Sequence, residues 1–342
     1  MEKFVFFGGK GGVGKTTVSS AYGLKSARAG YETLLVSTDP AHSTSDVFDQ
    51  QFEDEPAPVD GIKNLSAMEI DPEAEVQAHL MDIKRRMGDQ VSPSIVNQID
   101  RQIELAHQTP GAYEAALFDR FIRVMRNAED FDRVVFDTSP TGGTLRLLAL
   151  PEFLEEWIDR LIDKRAESIK LFEKAAIGER EARKRAETDD IIGHLTERKE
   201  KFEFAGETLR TDAAFFLVLN PDELSIRETE RAIDQLAGYE MGVDGLVLNK
   251  VTPEPDPEEG GVGATYLRDR VETERQRIDR IETDFEEPIV GSIESYVEEG
   301  KDSRLEDLAG ALDIGWEGPT DIFRSGSGRA TGDTRVRRCV AT

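Results

Sequence analysis

The residues best suited to chemistry lie near the start of the chain, in a glycine-rich segment that follows the apolar run Phe4–Phe7. Residues 8–17 read Gly-Gly-Lys-Gly-Gly-Val-Gly-Lys-Thr-Thr and contain the spacing G-x-x-x-x-G-K-[ST]. Such glycines let backbone N–H groups converge on an anion, and the following helix adds the positive end of its dipole. The segment predicts a phosphate-binding loop. The predicted nucleotide-binding residues in it are Gly9, Gly11, Gly12, Val13, Gly14, Lys15, Thr16 and Thr17.

Two side chains of this loop have separate predicted roles. Lys15 is placed to reach the β- and γ-phosphates of a nucleotide, and the Thr16 hydroxyl is placed to bind Mg²⁺. Lys10 is a second cation early in the loop. Ordinary nucleotidases do not need a cation there, so Lys10 makes the loop more specific.

Two carboxylates follow predicted apolar strands. Asp39 comes after the strand predicted over 32–37 and could orient a water for attack on a γ-phosphate, although an aspartate there could also cap a turn. Asp137 ends the strand predicted over 133–137 and could hold Mg²⁺ through a water, or cap its own turn. Both lie where open α/β folds bind ligands, at the carboxyl ends of strands.

Two further segments could contact a nucleotide. The loop Thr138–Thr144 contains Pro-Thr-Gly-Gly and is a candidate switch that senses the γ-phosphate. Asn249 closes a predicted strand, and its amide offers a donor and an acceptor that suit an adenine edge. A turn asparagine is the alternative at this position.

Apolar runs and helical segments alternate along the chain, which predicts an α/β fold with a parallel doubly wound sheet of the P-loop NTPase type. Strands are predicted over 3–7, 32–37, 65–70, 133–137, 213–220, 243–249 and 288–292. Helices are predicted before Gly30 and over 72–128, 151–205, 222–238 and 264–284. We expect one ATPase domain over 1–315, with a helical subdomain from 72–128 and 151–205 inserted between strands, and a disordered basic tail over 323–342.

The chain is strongly acidic. Its 342 residues include 69 Asp and Glu against 43 Lys and Arg, a formal net charge of −26. This balance disfavours a nucleic-acid partner. It suits a salt-rich cytoplasm, or alternatively an acidic surface for a basic partner.

Cysteine usage and hydropathy indicate the compartment. The only cysteine, Cys339, cannot form an intramolecular disulfide or a cysteine-based metal site within one chain. No apolar run approaches the roughly 20 residues of a membrane span. The predicted strand at residue 3 leaves no room for a signal peptide, and we expect a cytoplasmic protein.

These motifs resemble those of the ArsA family, whose members are arsenical pump-driving ATPases and ATPases that target tail-anchored membrane proteins. The resemblance rests on Gly8–Thr17, Ser37–Asp46, Asp137–Arg146 and Leu248–Lys250. It implies a dimer gated by ATP and Mg²⁺, in which Lys10 reaches the partner's nucleotide.

The resemblance also implies roles for individual residues. Catalytic roles fall to Asp39, which positions the attacking water, and to Lys10 and Lys15, which act on the phosphates. Thr16 and Asp137 serve the metal. Asn249 reads adenine, and the segment Pro288–Glu294 is the adenine-side loop, with Pro288 and Ile289 as its nucleotide-binding residues.

The chain departs from the family in three ways. A single cysteine cannot build the thiol site that captures metalloids, and the acidic segment 253–263 lacks the Cys-x-x-Cys pair that shares zinc across a dimer. We therefore expect neither zinc nor a metalloid, and a dimer that depends on packing or on ATP. Gly143 stands where the family commonly has histidine. The apolar stripe within 151–205 could line a client groove or could pack on the ATPase core.

The function that follows is Mg-dependent ATP hydrolysis by a nucleotide-gated dimer, which couples ATP state to a helical client or partner surface. Tail-anchored protein targeting and an anion-pump-like role both fit. The alternatives are a MinD- or ParA-like positioning or partitioning ATPase and a regulatory adaptor that binds ATP without turnover.

The net charge generates a prediction about salt. Repulsion among surface carboxylates acts over about 10 Å at 0.1 M salt and about 3 Å at 1 M. We expect the melting temperature to rise from low to molar KCl, measured by differential scanning fluorimetry. A melting temperature that falls steadily over this range would contradict adaptation to high salt.

Overall fold

An eight-stranded, mostly parallel sheet is the centre of the part of the protein that the structure describes. This structure is a computed structural model, and it describes residues 2–38, 43–71, 74–75, 112–138, 158–160, 162–164, 166–167, 190–295 and 303–314. The strands are β1 (Phe4–Gly8), β2 (Thr33–Ser37), β3 (Ala57–Pro58), β4 (Leu65–Glu69), β5 (Arg133–Asp137), β6 (Ala213–Leu219), β7 (Gly245–Val251) and β8 (Ile289–Glu294). Their order is β3-β4-β2-β5-β1-β6-β7-β8, and only β3 is antiparallel to its neighbour among these strands.

Helices cover both faces of this sheet. In chain order they are α1 (Lys15–Arg28), α2 (Ser43–Phe48), α3 (Ala112–Arg126), α4 (Asp190–Thr211), α5 (Glu223–Gly238), α6 (Val262–Asp284) and α7 (Ser303–Ala311). Buried residues of α1 and α7 pack on one face, and buried residues of α3, α4, α5 and α6 pack on the other. The predicted doubly wound α/β architecture is confirmed.

Strand β1 lies between β5 and β6, in the interior of the sheet, and this explains its continuous apolar run. Phe4 and Phe6 enter one core, and Val5 and Phe7 enter the other, because side chains alternate along a strand. The Phe6 ring stacks between the rings of Phe136 and Phe215, with centroid distances of 4.6 and 5.1 Å. The strand that carries the phosphate loop is thus fixed from both sides.

Several elements differ from the prediction. The short elements α2, β3 and α7 were not predicted. Strand β7 runs to Val251, so Asn249 does not close it, and α6 begins at Val262 instead of residue 264. Pairing of Val251 with Glu294 of β8 extends the strand past the polar residues that look like its end.

The expected helical subdomain is described only in part. Helix α3 and helical residues at 158–160, 162–164 and 166–167 fall within its predicted ranges, and α4 begins within them but runs to Thr211, past the predicted end at 205. Ile158 is buried in the core and Ile162 packs against it, so for these two residues the apolar stripe belongs to the core. The tail and the other candidate groove residues lie outside the described residues; those groove residues are Leu150, Phe153, Leu154, Trp157, Leu161, Ile169, Leu171 and Phe172. None of the helices over the described ranges is long and apolar enough to cross a membrane.

Candidate active site

The phosphate loop, Asp137 and Asn249 lie at one edge of the sheet. The phosphate loop follows the carboxyl end of β1, and its neighbours there are the carboxyl ends of β5 and β6. The chain passes from β1 through α1 to β2, which lies beyond β5, while β6 lies on the opposite side. Such a change of direction leaves a crevice at the carboxyl edge, which is where open α/β folds bind ligands.

The loop leads directly into α1. Gly14 caps that helix with φ +93°, and the first turn of α1 contains no acidic residue. The positive end of the helix dipole is therefore not neutralised from within the helix. The Lys15 side chain is 7% exposed, and its Nζ donates to the carbonyl oxygen of Lys10 at 3.3 Å.

The two predicted metal residues are in direct contact. Thr16 Oγ1 donates to Asp137 Oδ2 at 2.6 Å, and the Ser37 hydroxyl donates to the same oxygen at 3.4 Å. Asp137 is the last residue of β5 and is 1% exposed. A hydroxyl and a buried carboxylate beside a phosphate loop suit Mg²⁺, which prefers oxygen ligands and takes the remainder from phosphate and water. The described residues contain no cluster of three or more His, Cys, Asp or Glu that could hold a metal by itself.

Main-chain contacts connect the edges of β2, β5 and β1. The Thr38 N–H donates to the carbonyl oxygen of Asp137 at 3.1 Å, and the Thr138 hydroxyl donates to that of Phe7 at 2.8 Å. Residues 39–42 and 139–146 follow these contacts and lie outside the described residues. The catalytic role of Asp39 and the switch role of Thr138–Thr144 therefore remain predictions.

Glu69, at the end of β4, was not predicted to bear on the site. Its carboxylate accepts from the Ser45 backbone N–H at 2.8 Å and from the Ser45 hydroxyl at 2.9 Å. Both residues are buried. Glu69 thus anchors α2, the helix after Asp39. A carboxylate at the end of a predicted strand was the available signal.

Asn249 and Lys250 of β7 contact the back of the phosphate loop. Asn249 Nδ2 donates to the carbonyl oxygen of Val13 at 2.7 Å, and Lys250 Nζ donates to that of Gly12 at 2.7 Å. Asn249 Oδ1 accepts from the Lys250 N–H at 2.9 Å. One N–H and one lone pair of the amide remain for another ligand, so adenine recognition by Asn249 stays a prediction. The sequence prediction missed Lys250.

Pro288 and Ile289 lie apart from the phosphate loop along the direction of their strand. They begin β8, and the parallel register pairs Leu246 with Ile289 and Val251 with Glu294. Strand β8 therefore points towards the phosphate loop with its Glu294 end, about 17 Å along the strand from Ile289. Contact of the segment 288–294 with adenine stays a prediction, and the register puts the Glu294 end of that segment, rather than Pro288 and Ile289, on the side of the phosphate loop.

The profile of the ArsA ATPase family, described as anion-transporting ATPase, matches residues 2–312. The chain belongs to the ArsA ATPase family. This membership favours the ArsA interpretation over a MinD- or ParA-like one.

Individual relatives of this ArsA family member agree with the assignment. A protein of Aquifex aeolicus named as an arsenical pump-driving ATPase is 34% identical over 285 residues, 82% of this chain and 88% of its own. ATPase GET3 of Pyricularia oryzae is 31% identical over 302 residues, 87% of this chain and 86% of its own. A protein of Halobacterium salinarum, also named for an arsenical pump, is 33% identical over 98% of this chain but only 47% of its own length.

The close approach of Asn249 to Gly14 generates a stability prediction. A Cβ on Gly14 would lie 2.3 Å from Asn249 Nδ2, whereas a Cβ on Gly12 meets nothing within 4 Å, and both residues have positive φ. Gly12→Ala should lower the free energy of unfolding by about 1–2 kcal/mol, which is the cost of a left-handed backbone at a residue with a Cβ. Gly14→Ala should cost about 1 kcal/mol more, because it also breaks the hydrogen bond to Val13. Urea unfolding without nucleotide measures both, and equal losses would contradict the contact.

Proposed function

We propose that this ArsA family ATPase hydrolyses ATP in a Mg²⁺-dependent reaction at the phosphate loop. The observation that carries the proposal is the Thr16–Asp137 contact of 2.6 Å at the base of that loop. It supports a metal site next to the place where a γ-phosphate would bind. The names of the relatives, which include pump-driving and GET3 ATPases, agree with turnover.

Different residues bind the phosphates, hold the metal, orient the water and contact the base. Backbone N–H groups of the loop and the N-terminus of α1 bind the phosphates, and Lys15 turns from the Lys10 carbonyl to the β- and γ-phosphates. Thr16 and Asp137 would hold Mg²⁺, which when bound neutralises phosphate charge. Asp39 orients the water that attacks the γ-phosphate, and Asn249 contacts adenine with its remaining N–H and lone pair.

Lys10 supplies the link to a second subunit. Its side chain is half-buried, and over the described ranges it takes part in no hydrogen bond or ion pair. Lys15 already provides the loop with a cation for its own nucleotide, so Lys10 is available for the nucleotide of a partner. A dimer that closes on ATP follows, and the absence of a Cys-x-x-Cys pair from 253–263 makes that dimer depend on nucleotide.

The ATP-dependent dimer would act on a client. The two candidate outputs are tail-anchored membrane protein targeting, which the family resemblance implies, and an anion-pump-like role, which the family description and the name of the Aquifex relative suggest. The single cysteine favours the former, because trivalent arsenic is captured by several thiols. A cytoplasmic location is part of the proposal, since a lone cysteine fits a reducing compartment.

Lys15→Ala should abolish detectable ATP hydrolysis, because the variant loses the cation that binds the transferred phosphate. Lys63→Ala is the matched control, since Lys63 is an exposed lysine before β4, at the opposite edge of the sheet. Phosphate release with Mg²⁺ and with EDTA measures both variants. Hydrolysis by Lys15→Ala at the rate of the control would remove the basis of this proposal.

Asp39→Asn should bind ATP but lose a factor of about 100 or more in kcat, because an asparagine cannot position and activate the attacking water in the same way. Single-turnover hydrolysis and equilibrium ATP binding separate the two effects. If ATP affinity falls while kcat is preserved, Asp39 has a binding or capping role instead.

Dimerisation through Lys10 can be tested in the Asp39→Asn background, which should retain ATP without consuming it. Light scattering should show monomer or weak dimer without nucleotide and dimer with Mg-ATP. Adding Lys10→Ala should return the mass towards monomer while ATP binding persists. The same mass under all three conditions would show that Lys10 is an ordinary loop lysine.

A further inference from the structure

The phosphate loop has polar groups on the side that faces away from the anion as well as on the side that faces it. When the N–H groups of a loop turn towards an anion, carbonyls of the same peptides turn away from it and need donors from the protein. Two consecutive carbonyls of this loop, those of Gly12 and Val13, receive donors from β7. Lys250 Nζ and Asn249 Nδ2 provide them, each at 2.7 Å.

An irregularity in β7 makes this double contact possible. Side chains of consecutive strand residues normally point to opposite faces of a sheet. The register between β7 and β8 shifts between Leu248 and Val251, and Lys250 within this interval has φ +56°. A bulge re-aims a side chain, and here it brings both Asn249 and Lys250 to the same loop.

The backbone at Lys250 is unusual for a lysine. The left-handed region is disfavoured for residues with a Cβ, and such a residue persists only where its surroundings maintain it. The Lys250 N–H meets this condition by donating to Asn249 Oδ1 at 2.9 Å. That bond also fixes the amide so that its NH₂ faces Val13. The two residues thus form one unit, which we call the Asn249–Lys250 pair.

We infer that the Asn249–Lys250 pair positions the phosphate loop for a polyphosphate ligand, with Lys250 as a positioning residue. The inference rests on the proposed function, since it assumes that the loop binds a nucleotide. Lys15 donates to a loop carbonyl too, that of Lys10, but it is needed for phosphate. Lys250 and Asn249 reach the loop from β7, so they keep its carbonyls turned outward while Lys15 engages the ligand.

Lys250 also adds a positive charge beside the loop of a chain that is negative overall. The formal net charge is −26, which repels a polyanion such as ATP at long range. An ammonium group on the back of the loop raises the local potential that the phosphates experience. Loss of this ammonium group should therefore reduce the affinity for a ligand that consists only of phosphates as much as it reduces the affinity for ATP.

Calorimetry with inorganic tripolyphosphate and with Mg-ATP, at one fixed salt concentration, tests the inference. Lys250→Met removes the ammonium group and keeps most of the length of the side chain. Lys63→Met is the control for the loss of one positive charge. Lys250→Met should bind both probes about tenfold more weakly, the effect of losing a hydrogen bond from a charged donor. In steady state, KM for ATP should rise by a similar factor while kcat changes little.

Two further variants separate positioning from folding. Lys250→Gly removes the donor, but glycine suits φ +56°. This variant should bind tripolyphosphate and Mg-ATP more weakly, while its unfolding midpoint should not fall. Lys250→Arg retains a cationic donor and should recover part of the affinity.

Tripolyphosphate binding by Lys250→Met that equals that of Lys63→Met would overturn the inference alone. A wild-type protein that binds neither probe would overturn the proposed function and the inference with it.

Discussion

The structure of the site depends on one constraint: a loop that presents N–H groups to an anion must satisfy carbonyls on its other side. In this chain, strands of the sheet support the loop and donate hydrogen bonds to its carbonyls. Strand β1 leads into the loop from the centre of the sheet, with β5 and β6 on either side. Strand β5 places Asp137 beside Thr16, and β7 donates to the carbonyls of Gly12 and Val13. The loop is thereby held in shape by elements that already belong to the hydrophobic core.

Some of these features belong to the family as a whole, and others are particular to this chain. Membership of the ArsA family accounts for the phosphate loop and the order of motifs along the sequence. The family resemblance assigned no role to Lys250, whose amine reaches the loop through a bulge in β7. In a chain with a net charge of −26, cations close to the phosphates matter more than they would in a neutral protein, because they must offset a repulsive field.

Much of this could be predicted from the sequence, because glycine spacing and apolar runs report local requirements. The phosphate loop and the Thr16–Asp137 pair followed from the motif and from a strand that ends in aspartate. The contacts of Glu69 and Lys250 could not be predicted, since they depend on which strands become neighbours and where a bulge falls. Pro288 and Ile289 show the same limit: the segment was recognised as a strand, but only its register against β7 shows that its Glu294 end lies on the side of the loop.

If Asn249 and Lys250 position the phosphate loop, the loop has its binding conformation before ATP arrives. Crystal structures of the protein without ligand and with Mg²⁺ and a non-hydrolysable ATP analogue test it most directly. We predict that backbone atoms of residues 8–17 move by less than about 1 Å between the two, as in pre-organised binding sites, and that Asn249 and Lys250 keep their contacts with Val13 and Gly12 in both. A ligand-free loop that adopts another conformation, with both contacts broken, would contradict the account.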